Sequence, residues 1–133
     1  MTIAEATKAL NGALVVPKGA DSSACGYVQW RGGPEGIRIM VEAGRIARVE
    51  IRSGTLATDE GARIGDTEQR IDSLYAHRVT VTPQKYTKGH YLTVTPQAPS
   101  DSAYRIVFET DGSHVTGYRA GTRPAVEYVE GCG

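Results

Sequence analysis

A chain of 133 residues with fifteen basic and fifteen acidic side chains is long enough to bury a sizeable core, and it carries no formal net charge. Charges of both signs are interspersed, which excludes nucleic acid and anionic lipid surfaces as favoured partners. No apolar run approaches the ~20 residues that cross a bilayer and no basic-then-apolar leader opens the chain, so no membrane insertion is expected.

The chain reads from its first residues as the start of a helix, so that any signal peptide or leading strand is expected to have been either removed or left out of this sequence. Thr2 and Glu5 have the spacing of a capping box, and Ile3, Ala6 and Leu10 recur at helical intervals. Asn11-Gly12 ends that helix. A short apolar run over 13–16, stopped by Pro17, and the small polar residues 19–23 read as a loop, or as a short strand and a loop. Residues 25–30 alternate, with Tyr27 and Gln29 opposite Val28 and Trp30, and Gly32-Gly33-Pro34 closes what reads as the first strand of the sheet.

Residues 37–54 form a strand, a turn at Gly44 and a return strand. In the first strand Ile37, Ile39 and Val41 lie on one face and Arg38 and Glu42 on the other. Residues 53–63 are polar and lack a period, as a connector would. A second helix is expected after Ile64-Gly65-Asp66-Thr67, with Ile71, Leu74 and Tyr75 on its apolar face. Thr67 follows Thr2 by 65 residues, and Tyr75 follows Leu10 by the same interval. Strands are expected over 79–82, 91–95 and 104–109, bounded by Pro83, Pro96 and Pro99. Residues 104–121 then repeat the pattern of 37–54: Arg105, Ile106 and Glu109 match Arg38, Ile39 and Glu42, Gly112 stands in the turn, and Tyr104, Ile106 and Phe108 form the apolar face.

These correspondences predict an α+β fold made of two tandem repeats of a helix followed by antiparallel strands. The strands merge into one sheet with the helices on one face, and the second repeat carries an extra strand. The chain is expected to be a single domain over 1–133, with repeat 1 at about 1–54, a linker at about 55–63, repeat 2 at about 64–124 and a tail over 125–133.

Two cysteines, Cys25 and Cys132, lack the close spacing of a metal site or redox pair. They are a disulfide in an exported protein or separate thiols in a cytosolic one, and the terminal position of Cys132 favours the staple.

Four stretches carry a resemblance. Ile64-Gly65-Asp66-Thr67, Lys85-Tyr86 with Gly89-His90-Tyr91-Leu92, the run from Ile106 to Gly112, and the ending from Val126 to Cys132 resemble an uncharacterised family of bacterial exported or lipid-anchored proteins. The architecture is similar to that of the β-lactamase inhibitor proteins, built of two helix-plus-sheet repeats, and of the small outer-membrane-assembly lipoproteins, built of one. The resemblance implies a periplasmic, envelope-anchored or secreted setting, and it strengthens the disulfide reading. The inhibitors close a disulfide within each repeat, whereas here the cysteines belong to different repeats, so inhibition of a β-lactamase is not implied.

Candidate chemistry is sparse. The densest polar-aromatic stretch holds Lys85, Tyr86, His90 and Tyr91, and His90 there is the one candidate general base. No serine or cysteine nucleophile with a recognisable surround accompanies it. His77, His90 and His114 show no zinc spacing, residues 59–61 are too short for a calcium loop, and no phosphate loop is present, so neither metal nor cofactor is expected. Glu42 and Glu109 sit at equivalent strand ends, where duplication explains them without a glycosidase, and each can meet Arg48 or Arg119 across its hairpin. The tyrosines and Trp30 divide between core and a face that offers aromatics to a partner.

The expected function is a non-enzymatic protein-binding module, with no catalytic residues, whose open sheet face and 85–91 loop engage a protein partner. The alternatives are a hydrolase or transferase with His90 as general base, and a purely structural or small-ligand domain.

Overall fold

The computed structural model describes residues 1–12, 14–15, 25–76, 78–129 and 131–132; Pro17, the small polar residues 19–23 expected in a loop, and His77 lie outside them. Helix α1 (Ile3–Ala9) begins at the capping box: the Thr2 hydroxyl accepts from the Glu5 N–H at 3.1 Å, and Glu5 Oε1 accepts from the Thr2 N–H at 2.9 Å. It ends at Asn11 and Gly12, both of positive φ. Strands β1 (Leu14–Val15), β2 (Cys25–Trp30), β3 (Ile37–Glu42) and β4 (Arg45–Ile51) follow. The turn between β3 and β4 is the two residues Ala43 and Gly44, with φ of 53° and 76°, the twist-matched geometry of a tight hairpin.

Helix α2 (Glu68–Leu74) is capped by Thr67, whose hydroxyl accepts from the Arg70 N–H. After it come β5 (Val79–Pro83), β6 (His90–Val94), β7 (Tyr104–Thr110) and β8 (Val115–Thr122). All eight strands join one antiparallel sheet in the order β1-β2-β3-β4-β8-β7-β6-β5. The fold is therefore α+β, as the sequence pattern indicated. Four strands precede α2 and four follow it. Among the described residues no extra strand distinguishes the second half, because Leu14 and Val15 pair with Trp30 and Gln29.

Alternation along the strands sorts the sheet into two unlike faces. On the helix face, Ile71 and Tyr75 of α2 pack on Ile51, Leu92, Val94, Phe108 and Tyr118, while Ala6, Ile3 and Leu10 of α1 pack on Val28, Ile39 and Val41. Ile37 and Val49 border both clusters, so the two helices share one continuous apolar floor. Each fully buried Leu, Ile or Phe there stabilises the fold by about 1.5–3 kcal/mol. Tyr104, expected on this apolar face, is 50% exposed, because it lies at the start of β7 beyond the reach of either helix cluster. The connector is not loose: Ala62 is fully buried in the α2 cluster, and the Leu56 carbonyl accepts from Tyr118 Oη at 2.7 Å.

The opposite, polar face is not left open along its whole width. After β8 the chain turns at Arg123-Pro124, forms one turn of 3₁₀ helix (Ala125–Glu127) and runs back across the sheet. Ala125 is buried with Met40 and Ala47, beside Tyr27 and Tyr128. The segment ends at the Cys25–Cys132 disulfide, which spans 107 residues of sequence.

A loop of this length gives the bond a stabilising effect of about 4–5 kcal/mol in the chain-entropy model. Replacing Cys132 and Cys25 together by serine is expected to lower the urea midpoint by a corresponding amount while the far-ultraviolet spectrum of the folded state is retained. An unchanged midpoint would show that noncovalent contacts alone hold the tail.

Candidate functional site on the polar sheet face

Arg38 and Met40 of β3, Arg48 and Glu50 of β4, Arg119 of β8, and Val107 and Glu109 of β7 alternate onto the polar face at neighbouring register positions. Arg48 and Glu50 are each 1% exposed. Arg48 Nε donates to Glu50 Oε2 at 2.9 Å, and Nη2 lies 2.8 Å from the same oxygen, a charge-assisted contact. The second Glu50 oxygen accepts from Arg52 Nε and Nη2 at 3.0 and 2.8 Å, and Arg38 Nη1 approaches it to 3.8 Å. Glu109 extends the network, with Arg119 Nη1 at 3.4 Å and Arg52 Nη1 at 4.0 Å.

The tail supplies the remaining acceptors. The carbonyls of Ala125 and Tyr128 accept from Arg48 Nη1 at 3.1 and 2.7 Å, and the Val126 carbonyl accepts from Arg119 Nε at 2.6 Å. Gly121 lies opposite Arg48 in the β4–β8 pairing, and a Cβ there would stand 2.6 Å from Arg48 Cβ and 2.2 Å from the Ala47 carbonyl oxygen. Only glycine leaves room for the arginine.

The electrostatics follow from this geometry. Burial alone would raise the Glu50 pKa, but the hydrogen bonds and charges of Arg52 and Arg48 outweigh it and hold the carboxyl below its ordinary range. Burial pulls the Arg119 guanidinium down, opposed by Glu109. Four guanidinium groups meet two carboxylates, so the face keeps a positive excess, presented by Arg38 and Arg52, each with its side chain 49% exposed. Arg38 also lies over the Tyr27 ring at 4.1 Å, and Arg119 stands 5.6 Å from the Tyr91 ring. Glu109 meets Arg119 as expected from the hairpin; Glu42 lies opposite Arg45, and Arg48 is engaged by Glu50 instead.

The residues of the 85–91 loop do not converge. Tyr91 faces the polar side, opposite Glu109 in register, whereas His90 faces the helix side, where its Nδ1 lies 2.7 Å from Glu68 Oε2 at the start of α2. The Thr110 hydroxyl donates to the same Glu68 oxygen and accepts from the His90 and Gly112 N–H groups. Among the described residues, no hydroxyl or thiol bonds the His90 ring. Lys85 and Tyr86 project from a loop closed by Gln84, whose amide donates to the His90 and Thr110 carbonyls at 3.1 Å each. Tyr86 is 75% exposed, with Lys85 Nζ 5.3 Å from its ring. His114 sits in the β7–β8 turn, where its N–H donates to Asp111. No cluster of three or more histidine, cysteine, aspartate or glutamate side chains suited to a metal occurs among the described residues.

A cavity of about 610 Å³ lies on the helix face beyond α2, over Tyr75, Val94, Ile106 and Ala120. Tyr75 Oη hydrogen-bonds the Thr58 hydroxyl at 2.7 Å and donates to Glu60 at 3.1 Å, and burial together with the Glu60 charge pushes its phenol up to about 12. The fold and this site define an α+β protein with a single antiparallel sheet whose polar face is partly covered by its own tail. No family model, curated protein or solved structure matches the chain.

Removing Glu50 would leave Arg48 buried without its counter-charge, and Glu50→Ala is expected to cost about 3–5 kcal/mol in chemical denaturation. Because the folded Glu50 pKa lies below the unfolded one, its stabilising effect is present above the ordinary glutamate range and lost as pH falls through the folded value. The acid limb of the stability profile is therefore expected to flatten in Glu50→Ala; a limb identical to that of the wild type would assign acid unfolding to other carboxylates.

Proposed function

We propose that this chain is a non-enzymatic protein-binding module of an exported or envelope-anchored bacterial protein, and that it engages its partner with the uncovered part of the polar sheet face and the adjoining 85–91 loop. One observation carries the reading: Arg38 and Arg52 are half exposed yet share one buried carboxylate, Arg52 by two hydrogen bonds and Arg38 at 3.8 Å with its guanidinium over Tyr27. Arginines held in this way bind without first being ordered, and arginine and tyrosine dominate interface energetics. The positive excess selects partner surfaces that present carboxylates. Tyr91 and the exposed Tyr86 extend the surface on the far side of the tail. The disulfide favours an oxidising compartment.

The same proposal includes an origin by duplication of a helix-plus-four-strand unit. Its support is that each helix start is tied to the last hairpin of its own half. The Ile3 N–H donates to Gly44 and the Ile46 N–H to Met1, while the Glu68 N–H donates to Ser113 and the Val115 N–H to Asp66. Thr2 bridges to Arg45, and Thr67 bridges to His114.

A second reading, as a small-ligand domain, draws on the 610 Å³ cavity, whose volume is in the range of ligand sites. The alternative with His90 as a general base has less support, since that ring ties β6 to α2.

Capture from an envelope extract, identification of the bound protein and titration with the purified pair test the main reading. Arg38→Ala with Arg52→Ala is expected to weaken that pair at least about tenfold, with a steep salt dependence. Equal affinity for wild type and variant would remove the polar face as the site.

A further inference from the structure

The outer edge of β5 has a backbone whose free groups can be assigned one by one. The Arg78 carbonyl accepts from the Thr95 N–H at 2.9 Å, and the Gln84 N–H donates to the Gly89 carbonyl at 3.0 Å. Both contacts run toward β6, and the register between them is unbroken from Val79↔Val94 to Pro83↔His90. Antiparallel alternation therefore turns the backbone groups of Thr80 and Thr82 toward β6, and those of Val79, Val81 and Pro83 away from the sheet. β5 is the last strand of the sheet, so the N–H and C=O of Val79 and Val81 and the C=O of Pro83 face outward with no strand partner among the described residues. Pro83, which has no N–H to offer, stands on the outward side, where its lack costs the ladder nothing.

The side chains leave this edge open. Every residue from Thr80 to Pro83 is exposed, Val81 at 55%, and the strand itself contains no charged residue. Cations stand at both ends: Arg78 before the strand, and Lys85 and Lys88 after it. None of the three forms an ion pair among the described residues.

We propose that this edge receives an extended segment of another protein as an added strand, and that the segment has a short apolar centre between acidic ends. The inference rests on the reading of the chain as a protein-binding module and names the chemistry of a partner segment. Main-chain hydrogen bonds to Val79 and Val81 supply the attachment, and the flanking cations select the ends. The same cations argue against a second copy of this chain as the occupant. Antiparallel self-pairing about Val81 would set Arg78 of one copy opposite Gln84 of the other, one residue from Lys85, and so gather cations of both copies at each end of the pair, the like-charge arrangement by which edge strands avoid one another.

The test uses the full chain, disulfide intact, and a fluorescent synthetic peptide with an alternating valine-threonine centre and two glutamates at each end. Fluorescence anisotropy is expected to show saturable binding, weakened about tenfold when the glutamates are replaced by lysines. Val81→Pro removes an outward N–H and no bond to β6, so it is expected to weaken the peptide about tenfold with an unchanged melting profile. Should that variant fold poorly, Lys85→Glu with Lys88→Glu is expected to reverse the preference between the two peptides. Failure of the glutamate peptide to bind, equal binding of both peptides, undiminished binding by a folded Val81→Pro, an unreversed preference, or a wild-type dimer abolished by Val81→Pro would each overturn the proposal. Arg38→Ala with Arg52→Ala leaves peptide binding intact, which separates this edge from the polar face.

Discussion

The buried pair of Arg48 and Glu50 is the constraint to which the polar side of this molecule conforms. Two charges taken out of water are tolerated only when each remaining donor and lone pair finds a partner. Here those partners come from three directions, Arg52 just after β4, Arg38 on β3 and the tail carbonyls of Ala125 and Tyr128, while Gly121 leaves the room that Arg48 occupies. Remove any one and a charge or a dipole is stranded in a site that solvent does not reach. The tail is thus as much a ligand of the sheet as a covering for it. Its path is set by carbonyl positions as well as by the apolar contacts of Ala125 and Val126.

Elements whose information is local were legible in the sequence. Thr2 and Glu5 announced α1, Thr67 announced α2, and Ile37, Ile39 and Val41 placed β3 on the helix face, because caps and alternation act within a few residues. What stayed hidden is nonlocal. Arg48, Glu50 and Arg119 sit at alternate positions that ordinarily face water, and nothing in β4 or β8 says that a segment more than seventy residues downstream of Arg48 will return to cover it. A trace was present: Gly117 and Gly121 leave the polar side of β8 bare on either side of Arg119, and the apolar Ala125, Val126 and Tyr128 precede a terminal cysteine. Together these mark a strand face shaped to receive another segment.

The loop of Lys85, Tyr86, His90 and Tyr91 shows the converse error of grouping residues by proximity in sequence. Consecutive residues of a strand point to opposite faces, so His90 and Tyr91 had to part as soon as β6 began at His90. His90 went to Glu68 and the helix layer, and Tyr91 to the arginine face.

The route of the tail also bears on how copies of this chain can exchange parts. Its two halves are joined within the sheet by the β4–β8 pairing, from Arg48↔Gly121 to Ile51↔Tyr118, which is the kind of seam that opens when one molecule lends half of its sheet to another. The tail leaves β8, passes over Arg48 of β4 and Met40 of β3, and is bonded covalently to β2. The seam therefore lies inside a closed covalent ring that begins at Cys25, follows the chain through β8 and returns through Cys132. Oxidation commits each half to its own molecule, and strand exchange across the middle of the sheet is confined to the interval before that ring closes.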